Sequence, residues 1–65
     1  MKISVNGKMH NVAAHNVAHV LEELRFDGTM VATAVNGEFV PAVSRAAQCL
    51  AEGDRLEVLC PMQGG

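Results

Sequence analysis

The apolar residues of this chain change their spacing several times, and each change marks an element. Ile3 and Val5 alternate with Lys2, Ser4 and Asn6, the period of a strand with one buried face. Asn6-Gly7 comes next. Both central positions of a type I′ turn need positive φ, so this pair predicts a tight hairpin into a second strand over about residues 9–13, with Val12 inward. The period then lengthens. Val17, Val20, Leu21 and Leu24 fall at i, i+3, i+4 and i+7, one apolar helical stripe, with Glu22, Glu23 and Arg25 on the wet side as solvating charges. Asn16 is placed to cap this helix, and Asp27-Gly28 to end it. A helix of about ten residues does not persist alone, so it must lie across a sheet and bury its stripe there.

Residues 31–35 are rich in β-branched side chains, and Asn36-Gly37 is a second hairpin signal leading into the short strand Phe39-Val40. Pro41 then stops ladder pairing. The Ala-rich stretch 44–51, with Ser44 as a cap, reads as a loop containing about one helical turn. After the Gly53-Asp54 turn, residues 55–60 alternate again, placing Leu56, Val58 and Cys60 on one face and Arg55, Glu57 and Leu59 on the other. Pro61 closes the strand and directs the last residues off the sheet. The element order is β-β-α-β-β-β, in which the first and last strands can lie side by side at the centre. This is an α+β, β-grasp arrangement: a mixed sheet of four to five strands with one main helix across one face. It forms a single domain over residues 1–60, followed by a flexible tail over 61–65.

Composition narrows the function. With 65 residues, 49% of them hydrophobic and 18% charged, the chain is one globular domain rather than a disordered segment. A domain of this size buries only about 60% of its unfolded surface, which leaves little room for an enclosed pocket. The formal net charge of −2 offers no basic stripe for nucleic acid. No apolar run reaches the length of a membrane span, and residues 1–7 turn polar too soon for a signal peptide, so the expected compartment is the cytoplasm. Cys49 and Cys60 lack CxxC spacing and a secretory context, and read as small buried apolar residues. His15 and His19 are four apart, but His15 precedes the helix and neither they nor His10 have an evident third ligand, so no metal is expected.

The last stretch, Pro61-Met62-Gln63-Gly64-Gly65, carries the chemistry. Without Cβ atoms, Gly64 and Gly65 can pass through a channel too narrow for any side chain, leaving the α-carboxylate as the group that reacts. An ionised carboxylate is a poor electrophile at neutral pH. Transfer of AMP from ATP would give an acyl-adenylate open to attack by a sulfur or amine nucleophile. The chain has no phosphate loop of the G-x-x-x-x-G-K-[ST] or G-x-G-x-x-G type, so a separate enzyme must do this. Nor does it show a nucleophile and base with a supporting third group, which argues against an enzyme in its own right.

The stretch Val35-Asn36-Gly37-Glu38-Phe39-Val40-Pro41, the run Glu52-Gly53-Asp54-Arg55-Leu56-Glu57-Val58 and the Pro-Met-Gln-Gly-Gly end resemble the thiamine-biosynthesis sulfur carrier family over essentially the whole chain. The resemblance implies that Gly65 is adenylated by an adenylyltransferase of the ubiquitin-activating type. Gly65 is then loaded by a sulfurtransferase as a thiocarboxylate and used as sulfur donor by thiazole synthase. On this reading the chain binds no cofactor itself, while its partner enzymes use ATP and a sulfur donor. Gly64, Gln63 and Met62 would be read by the partner's channel, and Leu59, outward on the last strand, would anchor docking. The small subunit of molybdopterin synthase shares this chemistry but is usually longer. Ubiquitin-like modifiers, in which a lysine amine attacks instead, usually carry arginines before the diglycine.

Overall fold

The computed structural model describes residues 1–60. The expectations about Pro61, Met62, Gln63, Gly64 and Gly65, including the flexible tail, lie outside the described residues. Five strands and one α-helix adopt the anticipated order: β1 (Lys2–Val5), β2 (Lys8–Asn11), α1 (Val17–Glu23), β3 (Ala32–Val35), β4 (Glu38–Val40) and β5 (Arg55–Leu59). The sheet runs β2-β1-β5-β3-β4. The last strand is therefore central, parallel to β1 and antiparallel to β3. This is the β-grasp fold.

Both hairpins turn on the residues that favour positive φ. Asn6 and Gly7 have φ of 53° and 83°, and Asn36 and Gly37 have 50° and 85°, the signature of a type I′ turn whose twist matches the strands it joins. Each turn fixes a register, Val5 opposite Lys8 and Val35 opposite Glu38. Alternation then sends Ile3, Val5, Val35, Val40, Leu56 and Val58 under the helix, where they pack with Val17, Val20 and Leu21. Val12 is buried as expected, although β2 stops one residue before it.

Asn16 caps α1 as its sequence position implies, its Oδ1 accepting from the His19 amide at 2.8 Å. The helix ends earlier than Asp27-Gly28, through a different device. Arg25 adopts φ 64°, its amide donates to the Glu22 carbonyl, and the Phe26 amide reaches back to Leu21 at 2.8 Å. That is a Schellman closure with the partly buried Phe26 as its apolar contact, and it satisfies carbonyls the helix would otherwise leave open. Asp27 instead opens a 3-10 turn (Gly28–Met30). The Thr29 hydroxyl (2.7 Å) and then the Thr29 amide (3.0 Å) donate to its Oδ1 and hold the carboxyl below its ordinary value of 3.8. A depressed carboxyl stabilises the fold at neutral pH, and that contribution fades as the pH falls through the folded value.

Three side chains depart from their expected roles. Glu23 is not merely solvated: its carboxylate accepts from the Ala13 and Ala14 amides at 3.0–3.1 Å and closes the loop into the helix. Cys49 and Cys60 are exposed rather than buried. Pairing of β5 ends at Leu59 opposite Ala32, so Cys60 lies past the last row of the sheet. The Asn16–Cys49 bridge and the bond from the Leu50 amide to the His15 carbonyl (2.8 Å) turn Leu50 into the core and leave Cys49 outside.

The segment read as a loop, residues 44–51, begins earlier, with a 3-10 turn (Ala42–Ser44) directly after Pro41. It carries a buried cation. The Arg45 guanidinium, 7% exposed, donates to the carbonyls of Gly28 and Val31, both at 2.7 Å, and to the Thr33 hydroxyl at 3.2 Å. Thr33 passes the network on to the Val40 carbonyl at 2.8 Å.

Candidate functional site

The helix covers one face of the sheet and leaves the other open. On the open face the strands present, from one edge to the other, Met9 and Asn11, Lys2 and Ser4, Arg55, Glu57 and Leu59, Ala32 and Ala34, and Phe39. This face is divided. Beside Ser4, Arg55 and Glu57 lies a broad groove of about 410 Å³ whose lining mixes polar and apolar surface. Toward β4 the surface is more apolar, with a smaller groove of about 110 Å³ lined by Ala32, Thr33, Ala34, Phe39, Glu57 and Leu59.

Leu59 stands where its sequence position placed it, outward and 68% exposed at the end of β5, across from Ala32. Phe39 joins it, 69% exposed and opposite Ala34. With alanines between them, neither large side chain is covered. Exposed apolar residues standing singly are ordinary, but two large ones framing a groove beside the end of the central strand form a contiguous patch of the kind used for docking. The sequence reading named Leu59 and missed Phe39. The signal was present, because a two-residue turn at Asn36-Gly37 sets Phe39 against Ala34, and Val35 pointing inward leaves both of those outward.

A second feature unread in the sequence is what the two turn asparagines do with their side chains. The Asn36 Oδ1 accepts from the Arg55 amide at 2.9 Å, and its Nδ2 donates to Asp54 Oδ1 at 3.1 Å, so it holds the start of β5. The Asn6 carboxamide bonds both polar groups of Val58, accepting from the amide at 2.8 Å and donating to the carbonyl at 3.0 Å. These bonds add to the backbone ladders on β5, whose final residue leads directly into the Cys60–Gly65 stretch of sequence.

Among the described residues no cluster of three or more His, Cys, Asp or Glu side chains could hold a metal ion. No described helix is long and apolar enough to cross a membrane. The geometry defines a class: a small β-grasp domain whose central last strand, clamped by both turns, ends beside an apolar patch on an open sheet face.

Comparison with known proteins narrows the class. The model of the ThiS family matches residues 3–65. The crystal structure of the thiamine biosynthesis protein ThiS from Geobacter metallireducens superposes with a TM-score of 0.86 at 32% identity over the whole of both chains. A solution structure of a thiamine biosynthesis protein from that organism gives 0.80 at 32% identity, over all of this chain and 88% of that one. A thiazole synthase of Paramagnetospirillum magneticum is 38% identical over 66 residues, which take in all of this chain and 20% of the relative. The chain thus spans about a fifth of that relative's length. It belongs to the ThiS family.

Proposed function

We propose that the α-carboxylate of Gly65 is the working group of this chain, and that it carries sulfur as a thiocarboxylate. A carboxylate oxygen attacks the α-phosphorus of ATP on a partner adenylyltransferase of the ubiquitin-activating type, and pyrophosphate leaves. Hydrosulfide, released when a thiol reduces the persulfide of a sulfurtransferase, then attacks the acyl carbonyl; the carbon–oxygen bond to the phosphate breaks, AMP departs with the original oxygen, and the thiocarboxylate remains. The thiocarboxylate is a soft anion that donates its sulfur to thiazole synthase. The chain is a cosubstrate of these enzymes, not a catalyst. It holds no cofactor of its own, and its setting is the cytoplasm.

The family match running through Gly64 and Gly65 to residue 65 carries this reading. Support for the acceptor enzyme comes from the Paramagnetospirillum relative, in which a segment similar to this chain is part of a protein named thiazole synthase. Holding sulfur covalently keeps it from diffusing away. Ordering a residue costs about 1–2 kcal/mol, so threading Met62, Gln63, Gly64 and Gly65 into a partner's channel offsets part of the contact energy and keeps each complex short-lived.

The test is the intact mass of the purified chain before and after incubation with ATP, a sulfur source and the adenylyltransferase. A gain equal to sulfur replacing oxygen, localised to Gly65, is the expected result. A lysine-linked conjugate on another protein would instead make the chain a modifier.

Docking on the Phe39–Leu59 patch gives a separate expectation. Leu59→Asp and Phe39→Ala should each weaken binding to the adenylyltransferase by about tenfold or more, since a hot-spot side chain contributes about 2 kcal/mol. Both side chains are largely exposed, so stability should change by no more than about 0.5 kcal/mol. Isothermal titration with parallel thermal melts reads both quantities. A large loss of melting temperature in Leu59→Asp would show that the residue serves the fold rather than the partner.

A further inference from the structure

The end of β5 has an unequal environment on its two flanks. On the β3 side, pairing runs to Leu59 opposite Ala32. On the β1 side it stops early, at Val5 opposite Leu56 and a last backbone bond from the Asn6 amide to the Leu56 carbonyl at 3.0 Å. There β1 turns away into Asn6-Gly7. Along a strand the backbone polar groups alternate sides, so the next residue to face β1 is Val58, whose amide and carbonyl have no strand beside them. The Asn6 carboxamide fills that place. It accepts from the Val58 amide at 2.8 Å and donates to the Val58 carbonyl at 3.0 Å, bonding one residue through both groups as a neighbouring peptide unit would.

The choice of residue is narrow. One short side chain must offer an acceptor and a donor on two separate atoms, which a carboxamide does and a carboxylate, a single hydroxyl oxygen or a hydrogen atom does not. The same residue must also sit at φ 53°, where asparagine is among the few tolerated side chains. Glycine would meet the hairpin geometry as well, but it would leave both polar groups of Val58 without these bonds.

We propose that Asn6 is a positioning residue for the chemistry at Gly65: by holding Val58 on the flank that β1 leaves open, it fixes the point from which the last residues depart. The proposal rests on the carrier reading above. Held at Val58, the end of β5 is bonded on both flanks. Released there, the end of β5 is held on its β3 flank alone, and the reacting carboxylate is presented less often in the geometry the activating enzyme needs. Misplacement by about 1 Å can lower a rate by about 100-fold.

The experiment uses the full chain and compares Asn6→Gly with Asn36→Gly, which makes the same change in the other type I′ turn and removes a side-chain bond at the opposite end of β5. Pyrophosphate exchange by the adenylyltransferase is measured against carrier concentration, well below the melting temperature of each variant. Asn6→Gly is expected to lower kcat about tenfold or more with KM changed less than about twofold, because the Phe39–Leu59 patch is untouched. Asn36→Gly should leave both unchanged. Amide exchange at Val58 should rise about tenfold in Asn6→Gly alone. If Asn6→Gly does not fold, Asn6→Asp, which keeps the acceptor but sets a carboxylate against the Val58 carbonyl, is expected to show the same split. Normal kcat in a folded Asn6 variant overturns the positioning role while the carrier reading stands. If the wild-type chain itself supports no exchange, the carrier reading fails and this proposal with it.

Discussion

Deleting Gly65 is expected to abolish adenylate formation and leave the melting temperature unchanged. The two halves of this result have separate physical grounds. Among the described residues the core runs from Ile3 to Val58, and β5 ends at Leu59, six positions before Gly65. For activation, by contrast, the reacting carbonyl must reach the α-phosphorus of ATP held by another protein. Shortening the chain by one residue withdraws it by roughly 3.3–3.6 Å, further than a reacting pair tolerates, since attack requires about 3–3.5 Å. Gly64 would present a carboxylate of the same chemistry at the wrong depth. Exchange of labelled pyrophosphate into ATP measures the loss directly, and calorimetry checks the fold. Full exchange by the truncated chain would show that Gly65 is not the acceptor.

What the sequence conveyed and what it withheld divide along the range of the interactions involved. The Asn-Gly turns, the Asn16 cap and the alternation in β5 were legible because each is decided within a few residues. The helix end was misplaced because Gly28 is a strong stop signal, whereas the chain closes the helix with Arg25 at positive φ and the apolar Phe26 behind it. Leu50 and Cys49 could not be assigned from periodicity, since residues 45–50 have none. Their orientation is set by the bond from the Leu50 amide to His15 and by the Asn16–Cys49 bridge, both to residues more than 30 positions away. At the site the asymmetry is similar. The diglycine and Leu59 stand out as chemistry and as pattern. Phe39 becomes visible only once the strand register is worked through, and Asn6 only once β1 is known to run short beside β5. Turn chemistry explains asparagine at position 6 well enough that sequence alone gives no reason to ask what its side chain holds.

Arg45→Met should destabilise the fold strongly. A methionine preserves much of the buried stem but donates nothing, so the carbonyls of Gly28 and Val31 and the Thr33 hydroxyl each lose a charged donor. Bonds of that kind are worth about 1.5–3 kcal/mol each, offset in part because the substitution also removes the desolvation of a buried guanidinium. The net loss should be about 2–4 kcal/mol. In a domain this small it should lower the melting temperature by roughly 10–25 °C. The damage would not stay local. Arg45 ties together the 3-10 turn before β3, β3 itself through Thr33, and through Thr33 the Val40 carbonyl on β4, while its own carbonyl accepts from the Ala18 amide in the first turn of α1. Arg45→Lys keeps the charge but gathers its donors on one nitrogen, which cannot span three divergent acceptors, so it should recover less than half of the loss. Thermal melts of the two variants decide the point. If Arg45→Met melts with the wild type, the desolvation of the guanidinium cancels its bonds, and the cation is kept for some reason other than stability. If it melts low while the Phe39–Leu59 patch still binds its partner at reduced temperature, Arg45 serves the frame on which the docking face is built, and the charge takes no part in recognition.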